Sequence, residues 1–138
     1  MKRVLGVDLG DARTGLAVSD ELRMLAHPLE TIESNSAEII AQRIKSIVSE
    51  KNVDRVVVGL PRNMDGSLGK SAEQAQRFVE KITGMINCKV VTWDERLSTV
   101  AAERVLQAAG KKTRETKNIR DQVAAQIILQ SYLDWLSA

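Results

Sequence analysis

Cysteine and histidine are almost absent from this sequence. Its 138 residues include one cysteine, Cys88, and one histidine, His27. A single cysteine cannot form an internal disulfide or a thiolate metal site, and Cys88 has no histidine near it in the sequence. His27 precedes Pro28 in a strand-like stretch, which is more typical of a packing residue than of a catalyst. The sequence therefore offers no good candidate for a thiol or imidazole nucleophile.

Long apolar runs are also lacking. No run approaches the roughly 20 residues that a membrane-spanning helix needs. The first eight residues lack the apolar segment of a secretory signal and lead directly into a strand pattern. Together with the single cysteine, these absences lead us to expect a cytoplasmic protein with no membrane partner.

Length and composition predict one domain, residues 1–138. A chain of this length can bury roughly two thirds of its unfolded surface without disulfides, and 43% hydrophobic with 28% charged residues is ordinary globular usage. The net charge is +2, from 14 basic and 14 acidic side chains in residues 1–100 and 6 basic against 4 acidic ones in residues 101–138. The surplus of positive charge therefore lies in the last 38 residues.

Five of the six basic residues of this region stand in one segment, residues 111–120. Its five basic residues, against one Glu115, are Lys111, Lys112, Arg114, Lys117 and Arg120. Such a segment suits a phosphate backbone. Charge alone, however, favours a plain solvated loop.

The hydrophobic pattern predicts five strands and four helices. The strands cover residues 3–9, 14–18, 24–32, 54–60 and 89–93; one helix is capped by Asn35, one begins at Ser71, and two cover residues 99–109 and 116–136. Residues 54–60 form a continuous, mostly branched-aliphatic run, which is typical of a strand buried on both faces. The order β-β-β-α-β-α-β-α-α predicts an α/β fold: a mixed central sheet, formed by a three-strand meander and then alternating helices and strands, with helices on both faces.

Asp8 is the unusual residue of the first predicted strand. It stands between Val7 and Leu9 in a strand expected to be central, where an unpaired carboxylate is costly to bury. Asp8 either caps the turn at Gly10 or serves as a metal ligand.

Asp94 and Glu95 follow the last predicted strand, at the edge where open α/β sheets often carry functional residues. Adjacent strand residues point to opposite faces, so only one of the two is expected to share a site with Asp8. The sequence does not choose between them. An ordinary salt bridge to Arg96 is the alternative reading.

Asp121 stands early in the last predicted helix, at the head of an apolar, small-residue face that includes Ala124, Ala125 and Ile128. Small residues allow close approach to the sheet, which would bring Asp121 to the strand ends. The alternative is simple compensation of the helix dipole.

Carboxylates that converge repel one another and raise each other's pKa values. A divalent cation relieves that repulsion, and an oxygen-only ligand set selects Mg²⁺ or Mn²⁺. Two such ions about 4 Å apart can activate a water and stabilise the leaving oxygen of a phosphodiester. The three acidic positions therefore predict metal-dependent phosphodiester hydrolysis if the fold brings them together.

Four segments, in this order, resemble the YqgF/RuvX family, bacterial RuvC-like proteins of the ribonuclease H-like superfamily. They are LGVDLG with TGLAVSD (residues 5–10 and 14–20), VGLPRNMDGS (58–67), WDERLST (93–99) and DQVAAQIILQSYLD (121–134). The resemblance spans essentially the whole chain, and the four segments together are highly specific. One departure is Arg120, where the family more often has an aliphatic residue.

The resemblance implies a ribonuclease H-like fold, and it places the family's metal-binding catalytic acids on Asp8, Glu95 and Asp121. The implied cofactor is Mg²⁺ or Mn²⁺, as two ions. The implied function is a nuclease that matures the 5′ end of small-subunit (16S) ribosomal RNA precursor during ribosome biogenesis. Partners would be structured RNA and ribosomal precursor particles. Holliday junction resolution in DNA recombination and repair, with branched DNA as substrate, is the alternative for the same chemistry.

Under this hypothesis the loop after the fourth strand contacts substrate. Its glycines permit close backbone approach, and the following helix offers free N–H groups to a phosphate. The expected substrate contacts are Arg62, Asn63, Lys70 and Arg96, joined by Lys111, Lys112, Arg114, Lys117 and Arg120. Aromatic residues are only 3% of the chain, so we expect recognition of backbone and shape rather than base stacking.

Two other classes compete with the nuclease. Phosphotransferases of the actin and sugar-kinase type begin with a similar Asp-x-Gly hairpin, but they need two domains around ATP and 138 residues are too few. A non-catalytic RNA-binding assembly module is the second, and the presence of all three acids argues against it. The sequence carries no distinct dimer signal, so a monomer and a homodimer both remain open.

Overall fold

The computed structural model describes residues 2–63, 65–109 and 117–138. Its strands are β1 (Arg3–Leu9), β2 (Thr14–Ser19), β3 (Ala26–Ile32), β4 (Val53–Leu60) and β5 (Lys89–Asp94). Its helices are α1 (Ala37–Glu50), α2 (Lys70–Thr83), α3 (Thr99–Ala109) and α4 (Lys117–Leu136), with a short 3₁₀ helix, Glu95–Ser98, between β5 and α3.

The strands form one mixed sheet in the order β3-β2-β1-β4-β5. The first three strands pair antiparallel as a meander, and β4 and β5 then add in parallel to β1. The parallel half brings the carboxyl ends of β1, β4 and β5 to the same edge of the sheet. The predicted mixed α/β architecture is confirmed.

A hydrophobic layer covers each face of the sheet. On one face α1 and α2 pack against residues such as Leu5, Val7 and Val58; on the other, α4 packs against Val4, Ala17 and Val57. The apolar face predicted below Asp121 takes part in this second layer, since Ala125 and Ile128 are almost fully buried. Since β1 and β4 are covered on both sides, their sequences are nearly continuous aliphatic runs.

The start of α1 differs from the prediction. Ser36, not Asn35, is the N-cap, and its hydroxyl accepts a hydrogen bond from the backbone N–H of Ile39. Asn35 stands one residue outside the helix. Both residue types are good caps, so the sequence pattern alone could not separate them.

The starts of β3 and α2 also differ from the prediction. β3 begins at Ala26 rather than at residue 24, because the Asp20 carboxylate accepts hydrogen bonds from the backbone N–H groups of Met24 and Leu25 and holds them in a turn. α2 begins at Lys70 after an N-cap glycine, one residue before the predicted start. Within the part of the chain that the structure describes, no helix is long and apolar enough to cross a membrane.

Candidate active site at the carboxyl ends of three strands

Asp8 lies near the end of β1, on the face that α4 covers. It pairs with Gly15 in the β1–β2 ladder. Burial, reinforced by the negative charge of Asp121, raises the pKa of Asp8 to about 6. Such a shift means that the charged form of this carboxylate is disfavoured where it stands.

Gly15 brings Asp121 against β1 and β2. A Cβ atom on Gly15 would lie 1.9 Å from the backbone carbonyl oxygen of Asp121 and 3.1 Å from its Cβ. Only a residue without a side chain allows this contact. The first turns of α4 therefore touch the sheet beside Asp8, which explains the mutual repulsion of the two acids.

Glu95 joins the same cluster from the 3₁₀ helix that follows β5. Burial raises its pKa to about 7, with further contributions from the negative charges of Asp8 and Asp94. Gly59 of β4 leaves room for it, since a Cβ at that position would lie 3.3 Å from the Glu95 Cδ and 2.5 Å from Ile128 Cδ1. Asp8 thus has an acidic neighbour on each side.

Asp94 takes a different role from Glu95. Its carboxylate accepts a 2.7 Å bond from Arg96 Nη2 and lies 3.6 Å from Arg62 Nε. The hydrogen bond from Arg96 lowers the pKa of Asp94. The strand pattern left Asp94 and Glu95 as equal candidates, and the family resemblance placed the metal-binding acid on Glu95. Of the two, Glu95 is the one with a raised pKa to which Asp8 contributes.

Arg13 is a residue of this site that the sequence analysis missed. Its Nε donates a 2.8 Å hydrogen bond to Asp121 Oδ2, in an ion pair with both side chains partly exposed. The signal was available: Arg13 follows the Gly10 turn, and a hairpin returns that residue to the level of the strand end that carries Asp8. Asp121 therefore forms an ion pair with Arg13 and at the same time repels the charged form of Asp8.

Across residues 2–63, 65–109 and 117–138, no group of three Asp, Glu, His or Cys side chains stands ready to hold a metal ion. The bond from Arg13 to Asp121 Oδ2 occupies one oxygen that a cation at this site would need. The donor chemistry itself is that of a hard-cation site: three carboxylates and no sulfur or imidazole.

The loop between β4 and α2 holds several of the expected substrate contacts. Arg62 and Asn63 are exposed; Arg62 donates to the Gly66 carbonyl oxygen (3.0 Å) and the Asn63 amide donates to the Ser67 hydroxyl (3.0 Å). Lys70, at the start of α2, is exposed. These residues follow the carboxyl end of β4, at the edge of the sheet that carries the acids. Arg62 forms a 3.6 Å ion pair there with Asp94.

Only part of the basic segment, residues 111–120, lies among the residues that the structure describes. Lys111, Lys112 and Arg114 lie outside the residues that the structure describes, as does the side chain of Lys117. Arg120 is exposed on α4, one residue before Asp121. Arg96 is exposed as well, and its guanidinium forms an ion pair with Asp94.

Comparison with known proteins gives consistent results. A sequence model of the RuvX family, described as Holliday junction resolvase, matches residues 2–135. Relatives from Bacillus cytotoxicus and Geobacillus kaustophilus are 44% and 47% identical over 134 residues, which is 96% of this chain and 98% and 97% of theirs. Both carry the name "Putative pre-16S rRNA nuclease". The predicted family resemblance is confirmed.

Solved structures share the fold at much lower identity. RuvC of T. thermophilus in complex with a Holliday junction substrate aligns with a TM-score of 0.69 and 18% identity, over 98% of this chain and 95% of that one. The yeast mitochondrial Holliday junction resolvase Ydc2 aligns with a TM-score of 0.62 and 10% identity, over 99% and 79%. These likenesses confirm the predicted ribonuclease H-like fold.

Proposed function

Because the chain belongs to the RuvX family, we propose that it is a nuclease that hydrolyses phosphodiester bonds in the cytoplasm and matures the 5′ end of 16S ribosomal RNA precursor. The observation that carries the proposal is Asp8, a carboxylate with a pKa raised to about 6, flanked by Asp121 and Glu95 at the carboxyl end of the sheet. The names of the curated relatives support the RNA substrate.

Asp8, Glu95 and Asp121 are the residues that would hold Mg²⁺ or Mn²⁺, as two ions. Their donor set fits such ions, and burial and mutual repulsion raise the pKa values of Asp8 and Glu95, a cost that a bound cation relieves. The ions would supply an activated water and stabilise the leaving oxygen of the phosphodiester. Asp121 must exchange its bond to Arg13 to contribute its second oxygen.

The remaining charged side chains of the site position the substrate. Asp94 holds the Arg96 guanidinium with bonds of 2.7–3.1 Å and draws Arg62 toward the same point. Arg13, once released by Asp121, presents a cation beside the carboxylates. Guanidinium groups bind phosphate through paired N–H donors, so these three arginines would orient the RNA backbone at the cleaved bond.

The test uses a labelled fragment of 16S rRNA precursor and, in parallel, a four-way DNA junction. Each is incubated with wild type, Asp8→Asn and the control Glu21→Gln, which changes an exposed carboxylate with only a 3.8 Å contact to Arg3. Each reaction is run with Mn²⁺ and with EDTA. We expect RNA cleavage that needs Mn²⁺, is lost in Asp8→Asn and is unchanged in Glu21→Gln.

Other results would revise the proposal at defined points. Cleavage of the junction alone would keep the nuclease and replace its substrate, in line with the description of the RuvX family. Tight binding of either nucleic acid without cleavage would indicate a non-catalytic assembly factor. Cleavage that survives in Asp8→Asn would remove the carboxylate site from the mechanism.

A further inference from the structure

A concavity lies on the opposite side of the sheet from Asp8. It has a volume of about 330 Å³ and is enclosed by the turn after β1, the start of α1 and the middle of α2. At its apolar floor Leu9 is partly exposed, while Ile40 and Phe78, which also line the cavity, are almost fully buried. This volume stands at the lower end of the range of about 300–1,000 Å³ that small-molecule sites occupy.

Four planar polar side chains surround this floor: those of Asp11, Asn35, Gln74 and Arg77. All four are exposed, and none forms a side-chain hydrogen bond or ion pair within the part of the chain that the structure describes. They offer a carboxylate, two amides that both donate and accept, and a guanidinium. An apolar floor ringed by such groups matches an unpaired nucleobase, whose faces are apolar and whose edges donate and accept hydrogen bonds.

Arg77 is the free cation among these wall groups. Lys81, one turn further along α2, also lines the cavity but forms a 2.7 Å ion pair with Glu38 of α1. That pair joins α1 to α2 beside the cavity and gives Lys81 a carboxylate partner. Arg77 has no such partner among the described residues, so it is the group that can contact a phosphate.

The cavity is close to the candidate active site along the chain. Leu9, Gly10 and Asp11 line it and directly follow Asp8. Three residues of extended chain span at most about 11 Å, so Asp11 lies within that distance of Asp8. A nucleic-acid strand crossing the end of β1 would need only one or two nucleotides to reach from the carboxylates to the cavity.

We propose that this cavity binds one unpaired nucleotide of the RNA strand next to the cleaved bond, with its base against Leu9 at the apolar floor and its phosphate at Arg77. The inference rests on the proposed nuclease function and adds to it a preference for substrates that are single-stranded beside the cleavage site. A paired base cannot enter such a pocket without leaving its helix. The proposal adds a contact with one base to the recognition of backbone and shape that the sequence predicts.

Binding at the cavity is tested first without catalysis. The ¹⁵N-labelled protein in EDTA is titrated with the four ribonucleoside 5′-monophosphates, with inorganic phosphate, and with a single-stranded RNA octamer and its fully paired duplex. We expect the octamer and the mononucleotides to shift the backbone amide signals of Gly10, Asn35 and Gln74. Inorganic phosphate and the duplex are expected to leave the Gly10 and Asn35 signals in place.

Variants then test the contribution of the cavity. Arg77→Gln removes the cation and should weaken octamer binding about tenfold, as expected for a lost hydrogen bond to a charged group. Ala37→Phe fills space beside α1 that the nucleotide would occupy and should also weaken octamer binding. Lys45→Gln, on the exposed face of α1, makes the same charge change as Arg77→Gln away from the cavity and should bind as wild type. Duplex affinity should be equal in all four proteins, and melting curves identify any variant that fails to fold.

The possible results separate this inference from the proposed function. If Asp8-dependent RNA cleavage is present but Arg77→Gln and Ala37→Phe bind the octamer as wild type does, the cavity proposal fails and the nuclease stands. If mononucleotides shift the cavity signals while octamer binding ignores both variants, the site takes free nucleotides and the strand assignment is wrong. Equal shifts with inorganic phosphate would indicate a plain anion site and would also overturn it.

Discussion

Arg13 and Asp121 form the contact that most directly governs the candidate metal site. The bond is 2.8 Å long, and the side chains are 34% and 25% exposed. A pair this open to solvent contributes about 0.5–1 kcal/mol, much less than a tightly bound divalent ion can gain from a third carboxylate. Arg13 therefore acts as a competitor for Asp121 that a cation can displace.

Arg13→Gln should bind Mn²⁺ about two- to fivefold more tightly than wild type, because the competing ion pair is gone. Isothermal titration calorimetry without nucleic acid measures this directly. Arg104→Gln is the control, since it removes one positive charge from a similar exposed pair, with Asp134 at 3.1 Å. Unchanged or weaker Mn²⁺ binding in Arg13→Gln would contradict the competition.

Asp8→Asn should stabilise the metal-free protein. The substitution keeps the shape of the side chain and removes a charge that burial and Asp121 disfavour. We expect the melting temperature in EDTA to rise by several degrees, or about 1–2 kcal/mol, and stabilisation by Mn²⁺ to disappear. A mutant that melts well below wild type in EDTA would argue against a cluster of repelling acids, and Glu21→Gln controls for general charge effects.

At the scale of the element, the site depends on how closely α4 packs on the sheet. Gly6 and Gly15 form the surface on which the helix rests: a Cβ on Gly6 would lie 2.7 Å from Leu129 Cβ, and one on Gly15 would lie 1.9 Å from the Asp121 carbonyl oxygen. The second contact is with backbone, so a side-chain rotation cannot relieve it. The position of Asp121 is therefore fixed by a glycine on another strand.

Gly15→Ala should destabilise the protein by about 3 kcal/mol or more, as expected for overpacking against backbone, and should weaken Mn²⁺ binding because Asp121 moves away from Asp8. Urea unfolding and calorimetry measure the two effects. Gly84→Ala is the matched control, because its nearest contact would be an ordinary 3.7 Å and its φ of −79° suits alanine. If Gly15→Ala were as stable as Gly84→Ala, the close approach of α4 would be wrong.

At the scale of the whole molecule, the acidic cluster makes stability depend on pH. The folded pKa values of Asp8 and Glu95 are raised from 3.8 and 4.5 to about 6 and about 7. Between the unfolded and folded values the unfolded chain binds fewer protons, so the stability contributed by these groups falls as the pH rises. The loss is complete above the folded pKa values.

In EDTA, the unfolding free energy of wild type should therefore fall relative to that of an Asp8→Asn, Glu95→Gln double variant between about pH 4 and pH 7. Other carboxylates behave in the opposite sense: Asp94 and Glu30 have lowered pKa values because of Arg96 and Arg43, but they are present in both proteins and cancel in the difference. Urea unfolding at several pH values gives the measurement. A constant difference across this range would contradict the raised pKa values.

Much of the sheet could be predicted from local sequence. β1 and β4 are aliphatic because helices cover both of their faces, and their bounds match the prediction within a residue or two. Boundaries that depend on side-chain capping were less accurate. Ser36 rather than Asn35 caps α1, and Asp20 holds Met24 in a turn ahead of β3; each outcome depends on which of several suitable side chains meets the free N–H groups.

The sequence by itself determined the mixed α/β architecture and the family, and it predicted the three acidic positions, because periodicity and ordered motifs are local properties of the chain. Tertiary structure decided how the acids relate to their surroundings. Glu95 neighbours Asp8 while Asp94 holds two arginines, and Arg13 reaches Asp121 across 108 residues of sequence. These relations, like the cavity between α1 and α2, exist only where separate elements pack together, and pairing across such distances leaves no periodic signal in the sequence.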